Sequence, residues 1–161
     1  MPPARAGSVA HPGDWPAAEA ADAVTLPFDL RYRRRIRLTT DAGVAVLLDL
    51  DHAVALAEGD GLRLDGGGWI AVKAAPEPLL EVRAVDALHV ARLAWHLGNR
   101  HVPCEVQADR LLIRPDHVLA DMLCRLGASV TAVSAPFQPE GGAYGGGHGH
   151  VHADSDADGG H

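Results

Sequence analysis

The hydrophobic pattern of the chain changes its period at one place, and this change constrains the fold more than any other feature. Before the segment AAPEP, residues 74–78, apolar and polar residues alternate as they do in β-strands. After it, strand-like runs alternate with two stretches of helical period. Because two prolines stop a helix and interrupt strand pairing, we expect a domain boundary at this segment. The chain is therefore predicted to be an α+β protein with two small domains.

The first predicted domain, residues 23–75, is small and β-rich. Residues 30–38 are expected to form a strand with two different faces. One face carries Leu30, Tyr32, Arg34, Ile36 and Leu38, and the other carries Arg31, Arg33, Arg35 and Arg37. We interpret the arginines as a solvated strand face, with a docking surface for an acidic partner as the alternative. Residues 1–22, rich in proline and alanine, are predicted to be a flexible lead and not a secretory signal.

The second predicted domain, residues 76–143, follows the order βαββαβ. This order is typical of a ferredoxin-like fold, in which two helices cover one face of a four-stranded antiparallel sheet. Asp86 is expected to cap a first helix, which ends at Gly98 in a left-handed conformation. A second helix is expected between the capping residue Asp116 and Gly127. The buried side of the first helix is predicted to hold Leu88, Ala91, Ala94 and Trp95.

Composition excludes several classes of partner. The formal net charge of -7 argues against nucleic acid, since binding to phosphates needs a basic surface. No apolar run approaches the length of a membrane span, and the prolines of the lead interrupt any secretory signal, so the cytoplasm is the expected location. The two cysteines, Cys104 and Cys124, lack CxxC spacing and are expected to be reduced.

The last segment, residues 144–161, is rich in glycine, histidine and aspartate and is predicted to be disordered. Its histidines are His148, His150, His152 and His161. Imidazole suits Ni²⁺, Zn²⁺ and Cu²⁺, and the intervening glycines allow several rings to converge on one ion. We interpret the tail as a metal collector. The alternatives are a solubilising acidic tail and a cloning tag.

The other histidines are weaker candidates by local sequence alone. His101 follows the end of the first predicted helix and is either a hydrogen-bonding loop residue or a metal ligand. His117 begins the second helix, where structural and ligand roles are both open, and Cys104 is interpreted as a core residue. The sequence has no H-E-x-x-H, G-x-S-x-G or P-loop motif, so no enzyme is predicted. The remaining histidines are interpreted as exposed, helix-terminal or without a function: His11, His52, His89 and His96.

Five segments match, in order, those of a known family: VTLPFDLRYRRRIRLT (24–39), APEPLLEVRA (75–84), WHLGNRHVP (95–103), DHVLADMLCRLGASVT (116–131) and PFQPEGGAYGGGHGHVH (136–152). Over nearly all of its predicted ordered length the chain thus resembles the urease accessory protein UreE, a family of nickel metallochaperones. The resemblance implies a homodimer formed through the ferredoxin-like domain, in which His101 and its symmetry mate bind Ni²⁺ at the dimer axis. Tail histidines of either chain would complete the ligand shell, with Zn²⁺ and Cu²⁺ as competitors. The resemblance further implies delivery of nickel to the accessory GTPase UreG and the urease maturation complex.

Two features depart from the family pattern. Pro115 stands where family members often carry a further histidine, two positions before His117, which puts a secondary metal site there in question. The N-terminal residues also lack a clear match to the family's first strand. Three alternatives to a metallochaperone stay open: a passive histidine-rich metal buffer, a metallohydrolase assembled from distant residues, and a peptide-docking module in the β domain.

Overall fold

The computed structural model describes residues 2–141; predictions that fall on residues 142–161, including the tail histidines, lie outside this range. The described residues form ten strands and two α-helices, with short 3-10 helices at Ala17–Glu19 and Phe28–Leu30. They divide into two compact units, one of residues 2–24 and 31–71 and the other of residues 25–30 and 72–140. Neither α-helix in residues 2–141 has the length and apolar character that spanning a bilayer requires.

The first unit is built on a six-stranded sheet with the order β2-β6-β5-β1-β4-β3. The strands are β1 (Ala4–Ala10), β2 (Ala20–Leu26), β3 (Tyr32–Thr39), β4 (Ala45–Ala55), β5 (Gly61–Leu64) and β6 (Trp69–Ala74). Strand β1 lies inside this sheet, parallel to β4 and antiparallel to β5. The prediction of a flexible lead over residues 1–22 is therefore wrong for residues 4–10. The side chain of Ala6 is fully buried, and residues this small fit between neighbouring strands although their strand propensity is low.

Strand β3 lies at one edge of this sheet and differs in part from the predicted alternation. Arg33, Arg35 and Arg37 are exposed, as expected. However, Arg31 is only 4% exposed and donates a hydrogen bond to the Leu56 carbonyl oxygen at 3.3 Å, whereas Tyr32 is exposed. The strand begins at Tyr32, and its pairing with β4 shifts register between Arg33 and Arg35, so one alternating pattern cannot run through residues 30–38.

The second unit confirms the ferredoxin-like prediction. Its elements are β7 (Pro76–Arg83), α1 (Ala87–Gly98), β8 (Glu105–Val106), β9 (Arg110–Ile113), α2 (His117–Arg125) and β10 (Ser129–Pro136). The sheet has the order β10-β7-β9-β8, and each neighbouring pair of strands is antiparallel. Asp86 and Asp116 cap the two helices as predicted, because each carboxylate accepts backbone N–H groups of the first helical turn.

The buried face of α1 differs from the predicted one. Val90, Leu93 and Leu97 face the core, where they pack with Val82, Leu111, Ile113 and Leu123. The predicted core residues Leu88 and Trp95 are 60% and 64% exposed, and Ala91 is exposed as well, while Ala94 packs at the margin of the core. A helix with apolar residues on two sides gives no unique buried face by periodicity alone.

Candidate metal centre

Helix α1 ends in a Schellman motif whose left-handed residue is His101. The backbone N–H of Val102 donates to the Leu97 carbonyl at 3.2 Å, and the N–H of His101 donates to the Gly98 carbonyl at 3.1 Å. His101 has φ 54°, and among residues 2–141 no other residue except glycine has a positive φ. The predicted left-handed Gly98 is therefore wrong: this glycine is the last helical residue, and the reversal comes at His101.

The end of α2 provides an internal comparison, since it forms the same motif with glycine. The N–H of Ala128 donates to the Leu123 carbonyl and that of Gly127 to the Cys124 carbonyl, both at 3.0 Å, and Gly127 has φ 90°. The prediction that Gly127 ends this helix is confirmed. A side chain with a Cβ in the left-handed region costs roughly 1 kcal/mol relative to glycine. His101 therefore carries a backbone strain that the equivalent position of α2 avoids. Such strain is common at functional sites.

The His101 side chain is exposed and borders a shallow cavity of about 310 Å³ in the second unit. The lining residues are His101, Val102, Pro103, Arg114, Pro115, Asp116 and Leu119. Two charged neighbours are already engaged: Arg114 pairs with Asp29 at 2.7 Å, and Asp116 caps α2 with bonds of 2.9 and 3.0 Å. Within residues 2–141 the His101 imidazole has no hydrogen-bond or ion-pair partner, so both ring nitrogens are available to a ligand.

His89 is not simply exposed, which corrects its interpretation from the sequence. Its Nδ1 accepts the Val85 backbone N–H at 3.0 Å, and its Nε2 lies 2.8 Å from the Leu126 carbonyl oxygen. Because Nδ1 accepts, Nε2 must carry the proton and donate. The ring therefore joins the start of α1 to the end of α2, and neither nitrogen is free for a metal.

Cys104 is a packed core thiol, in agreement with its interpretation from the sequence. It packs against the cluster around Leu97 and lies beside two carboxylates. Burial, with smaller contributions from Glu140 and Glu105, raises the pKa of Cys104 to about 11. The thiol is therefore protonated at neutral pH, and metals bind the thiolate.

Alkylation should separate Cys104 from the exposed Cys124. We expect iodoacetamide at pH 8 to modify Cys104 about 100-fold more slowly than an ordinary exposed thiol, because few Cys104 side chains are ionised. Mass spectrometry of the alkylated peptides over time measures both rates, and the urea-unfolded chain, in which the rates should converge, is the control. Equal rates in the folded chain would contradict the burial of Cys104.

His101 is not part of a complete metal site within the described chain. No group of three or more His, Cys, Asp or Glu side chains in residues 2–141 is arranged to hold a metal ion. His117 is exposed at the start of α2 but does not line the cavity beside His101. His148, His150, His152 and His161 lie outside the described residues, and their role as ligands stays a prediction.

Two large apolar side chains of α1, the nearer of them about two helical turns before His101, are exposed, and reasoning from the sequence assigned them to the core. Leu88 and Trp95 project from the side of α1 opposite Val90, Leu93 and Leu97. The Trp95 ring contacts the ring of His96 edge-on, with centroids 5.1 Å apart. Large apolar side chains that are exposed on one side of a helix are a feature of interaction sites.

Comparison with known proteins decides the family. The family model "UreE urease accessory protein, N-terminal domain" matches residues 4–75, and the model "UreE urease accessory protein, C-terminal domain" matches residues 77–161. The chain belongs to the UreE family. The N-terminal match begins at the first residue of β1, the strand that the sequence analysis did not predict.

Proteins named urease accessory protein UreE are similar to this chain over most of its length. The UreE protein of Rhodopseudomonas palustris (strain HaA2) is 58% identical over 125 residues, which cover 78% of this chain and 58% of the relative. That of Chelativorans sp. is 54% identical over 78% of this chain and 79% of the relative, and that of Beijerinckia indica is 49% identical over 88% and 82%. The chain thus spans about three fifths of the length of the Rhodopseudomonas relative and four fifths of the other two.

Proposed function

We propose that this chain is a nickel metallochaperone for urease maturation. Its central site would be formed by His101 from each of two chains, with tail histidines as further ligands. The observation that carries this proposal is the left-handed conformation of His101, a histidine at a position where glycine is favoured and where its imidazole has no partner within residues 2–141. Membership of a family of urease accessory proteins supports the same conclusion.

A dimer is required by the chemistry of this site. One imidazole does not hold a divalent ion against competition from water, but a two-fold axis through the site supplies a second one. The exposed side of α1 with Leu88 and Trp95 supports such an axis because it lies on the helix that precedes His101, and its burial between two chains would remove apolar area from water. Trp is among the residues that contribute most to interfaces.

A protein that must release its metal should bind it through a small number of protein ligands. A closed thiolate cage holds a metal firmly, whereas two imidazoles leave exchangeable positions open to a recipient. The further metal ligands that we infer are the tail residues His148, His150, His152 and His161, with His117 as a secondary candidate. In this proposal the cargo is Ni²⁺, Zn²⁺ and Cu²⁺ are competitors, and the recipient is the accessory GTPase UreG within the urease maturation complex.

Nickel titration of the full-length chain and of a chain that ends at Ala143 tests the proposal. We expect the truncated chain to retain about one Ni²⁺ per dimer at the His101 pair, and the full-length chain to bind more. Isothermal titration calorimetry measures the stoichiometry, and light scattering measures the mass of each protein. A truncated chain that binds no nickel would instead favour a passive buffer whose only ligands are the tail histidines.

A further inference from the structure

A second cavity lies in the first unit, where β1 ends beside the later part of β4. It has a volume of about 280 Å³ and is lined by Gly7, Ser8, Val9, His11, Leu50, Asp51, His52 and Val54. Strand β1 pairs in parallel with β4 from Ala4 opposite Val46 to Ala6 opposite Leu48, and the residues that line the cavity follow these pairs on both strands. Two histidines that are 41 residues apart in sequence therefore border one cavity, and both are exposed.

A buried carboxylate stands behind one of these histidines. Asp60 is only 1% exposed, and its Oδ2 accepts the Ala57 backbone N–H at 2.9 Å. Its Oδ1 accepts no hydrogen bond from any residue in the described part of the chain. Nδ1 of His11 lies 3.7 Å from this oxygen, which is too long for a direct hydrogen bond.

A half-satisfied buried carboxylate is costly unless a positive charge compensates it. Burial raises the pKa of Asp60, with the Ala57 N–H and His11 acting in the opposite direction. In metal sites, a ligating imidazole commonly directs its other ring N–H to a carboxylate, which fixes the ring and increases its basicity. Asp60 faces Nδ1 of His11, which leaves Nε2 of this ring as the coordinating atom.

We propose that His11 and His52 form a second binding site for a divalent late transition metal, with Asp60 orienting His11. Coordination at Nε2 makes the Nδ1–H of His11 a stronger donor and brings positive charge towards the buried carboxylate. Asp51 also lines the cavity. Imidazole nitrogens are typical ligands of Ni²⁺, Zn²⁺ and Cu²⁺.

The proposed site is open and exchangeable. No three potential ligand side chains within residues 2–141 are already arranged around a common point, so water completes the coordination shell. A cavity of about 280 Å³ has ample room for several water molecules, each of which occupies roughly 30 Å³ in the liquid. This site does not depend on the dimer-axis site at His101, because its residues all belong to the first unit.

Amide NMR spectra of the ¹⁵N-labelled full-length chain during addition of NiCl₂ test the site directly. Paramagnetic Ni²⁺ broadens the signals of nearby amides, so we expect losses at residues 9–11 and 51–53. The same losses should occur in His101→Gly. They should disappear in His11→Asn and His52→Asn, two exposed positions where the substitution leaves the fold intact, as the remaining spectrum will show.

Asp60→Asn provides the matched test of the orienting role. Asparagine can still accept the Ala57 N–H but lacks the charge that faces His11, so we expect nickel affinity at this site to fall about tenfold or more. The amides around His89 are an internal control, since both nitrogens of that ring are engaged. Broadening at residues 9–11 that persists in both His11→Asn and His52→Asn would overturn the proposal, as would its absence from the unsubstituted chain.

Discussion

Replacing His101 with glycine should remove the nickel site of the chain that ends at Ala143 and should not destabilise the fold. The residue has φ 54°, a conformation that glycine adopts without steric cost. Removal of the Cβ relieves roughly 1 kcal/mol of strain, although the added freedom of the unfolded chain offsets part of this gain. We therefore expect a change in the free energy of unfolding between zero and about +1 kcal/mol, together with the loss of one Ni²⁺ per dimer relative to the parent chain. Chemical denaturation and calorimetric titration measure the two quantities.

The two helix ends provide a matched control for this substitution. Gly127→Ala places a Cβ in the left-handed position of α2, where His89 atoms lie 3.6 and 3.7 Å from the added carbon. This variant should lose about 1 kcal/mol of stability and keep its nickel. His101→Ala should lose nickel while its stability stays close to that of the parent chain, since both side chains carry a Cβ. If His101→Gly kept the full nickel stoichiometry of the parent chain, the proposed dimer-axis site would be wrong, and a large loss of stability would show that the histidine is structural.

The order of elements in the second unit could be predicted because its signals are local. Asp86, Asp116 and Gly127 are capping residues whose effect depends on a few neighbouring backbone groups, and all three act as predicted. The reversal at His101 could not be predicted in the same way. Gly98 offered the usual residue for a left-handed cap, and only packing of Val102 against the core around Leu97 moves the reversal three residues further.

Strand β1 and the burial of Arg31 were not predicted from the sequence, for a different reason. Strand β1 has the sequence ARAGSVA, which carries little alternation, and its place in the sheet comes from pairing with β4 and β5, more than 35 residues away. Arg5 is held there by Asp49, at 3.0 Å, and by Asp65. Arg31 is buried because its guanidinium reaches the Leu56 carbonyl across a loop. Such long-range contacts leave no local signal in the sequence, and the same is true of the proposed His11 and His52 pair.

The buried face of α1 was predicted wrongly because this helix has two apolar sides. Val90, Leu93 and Leu97 have the spacing i, i+3, i+7, and so do Leu88, Ala91 and Trp95. The two sets are offset by two residues, about 200° around the helix, so they lie on opposite sides. Either set could have been the buried one by periodicity. The second apolar side stays exposed in the single chain, and this exposure favours its burial against a partner.

Trp95→Glu should convert the proposed dimer into monomers. The indole is 64% exposed in the single chain, so the substitution should change the free energy of unfolding of one chain by less than about 0.5 kcal/mol. Burial of a glutamate between two chains without a cationic partner is costly, and an aromatic anchor at an interface typically contributes 2 kcal/mol or more. We expect the dissociation constant of the dimer to rise at least about 30-fold. Sedimentation velocity over a range of concentrations measures this change.

Nickel binding should fall together with the dimer, because one His101 cannot form the site alone. The truncated Trp95→Glu chain should bind nickel weakly at His101 at concentrations where it is monomeric and regain this site when the concentration forces association, since assembly and binding are thermodynamically linked. Val44→Glu is the matched control: Val44 is 55% exposed in the turn before β4, and its substitution should change neither mass nor nickel stoichiometry. If Trp95→Glu remained a dimer with its full nickel content, the axis would lie elsewhere, and the exposed side of α1 would have to bind a different partner.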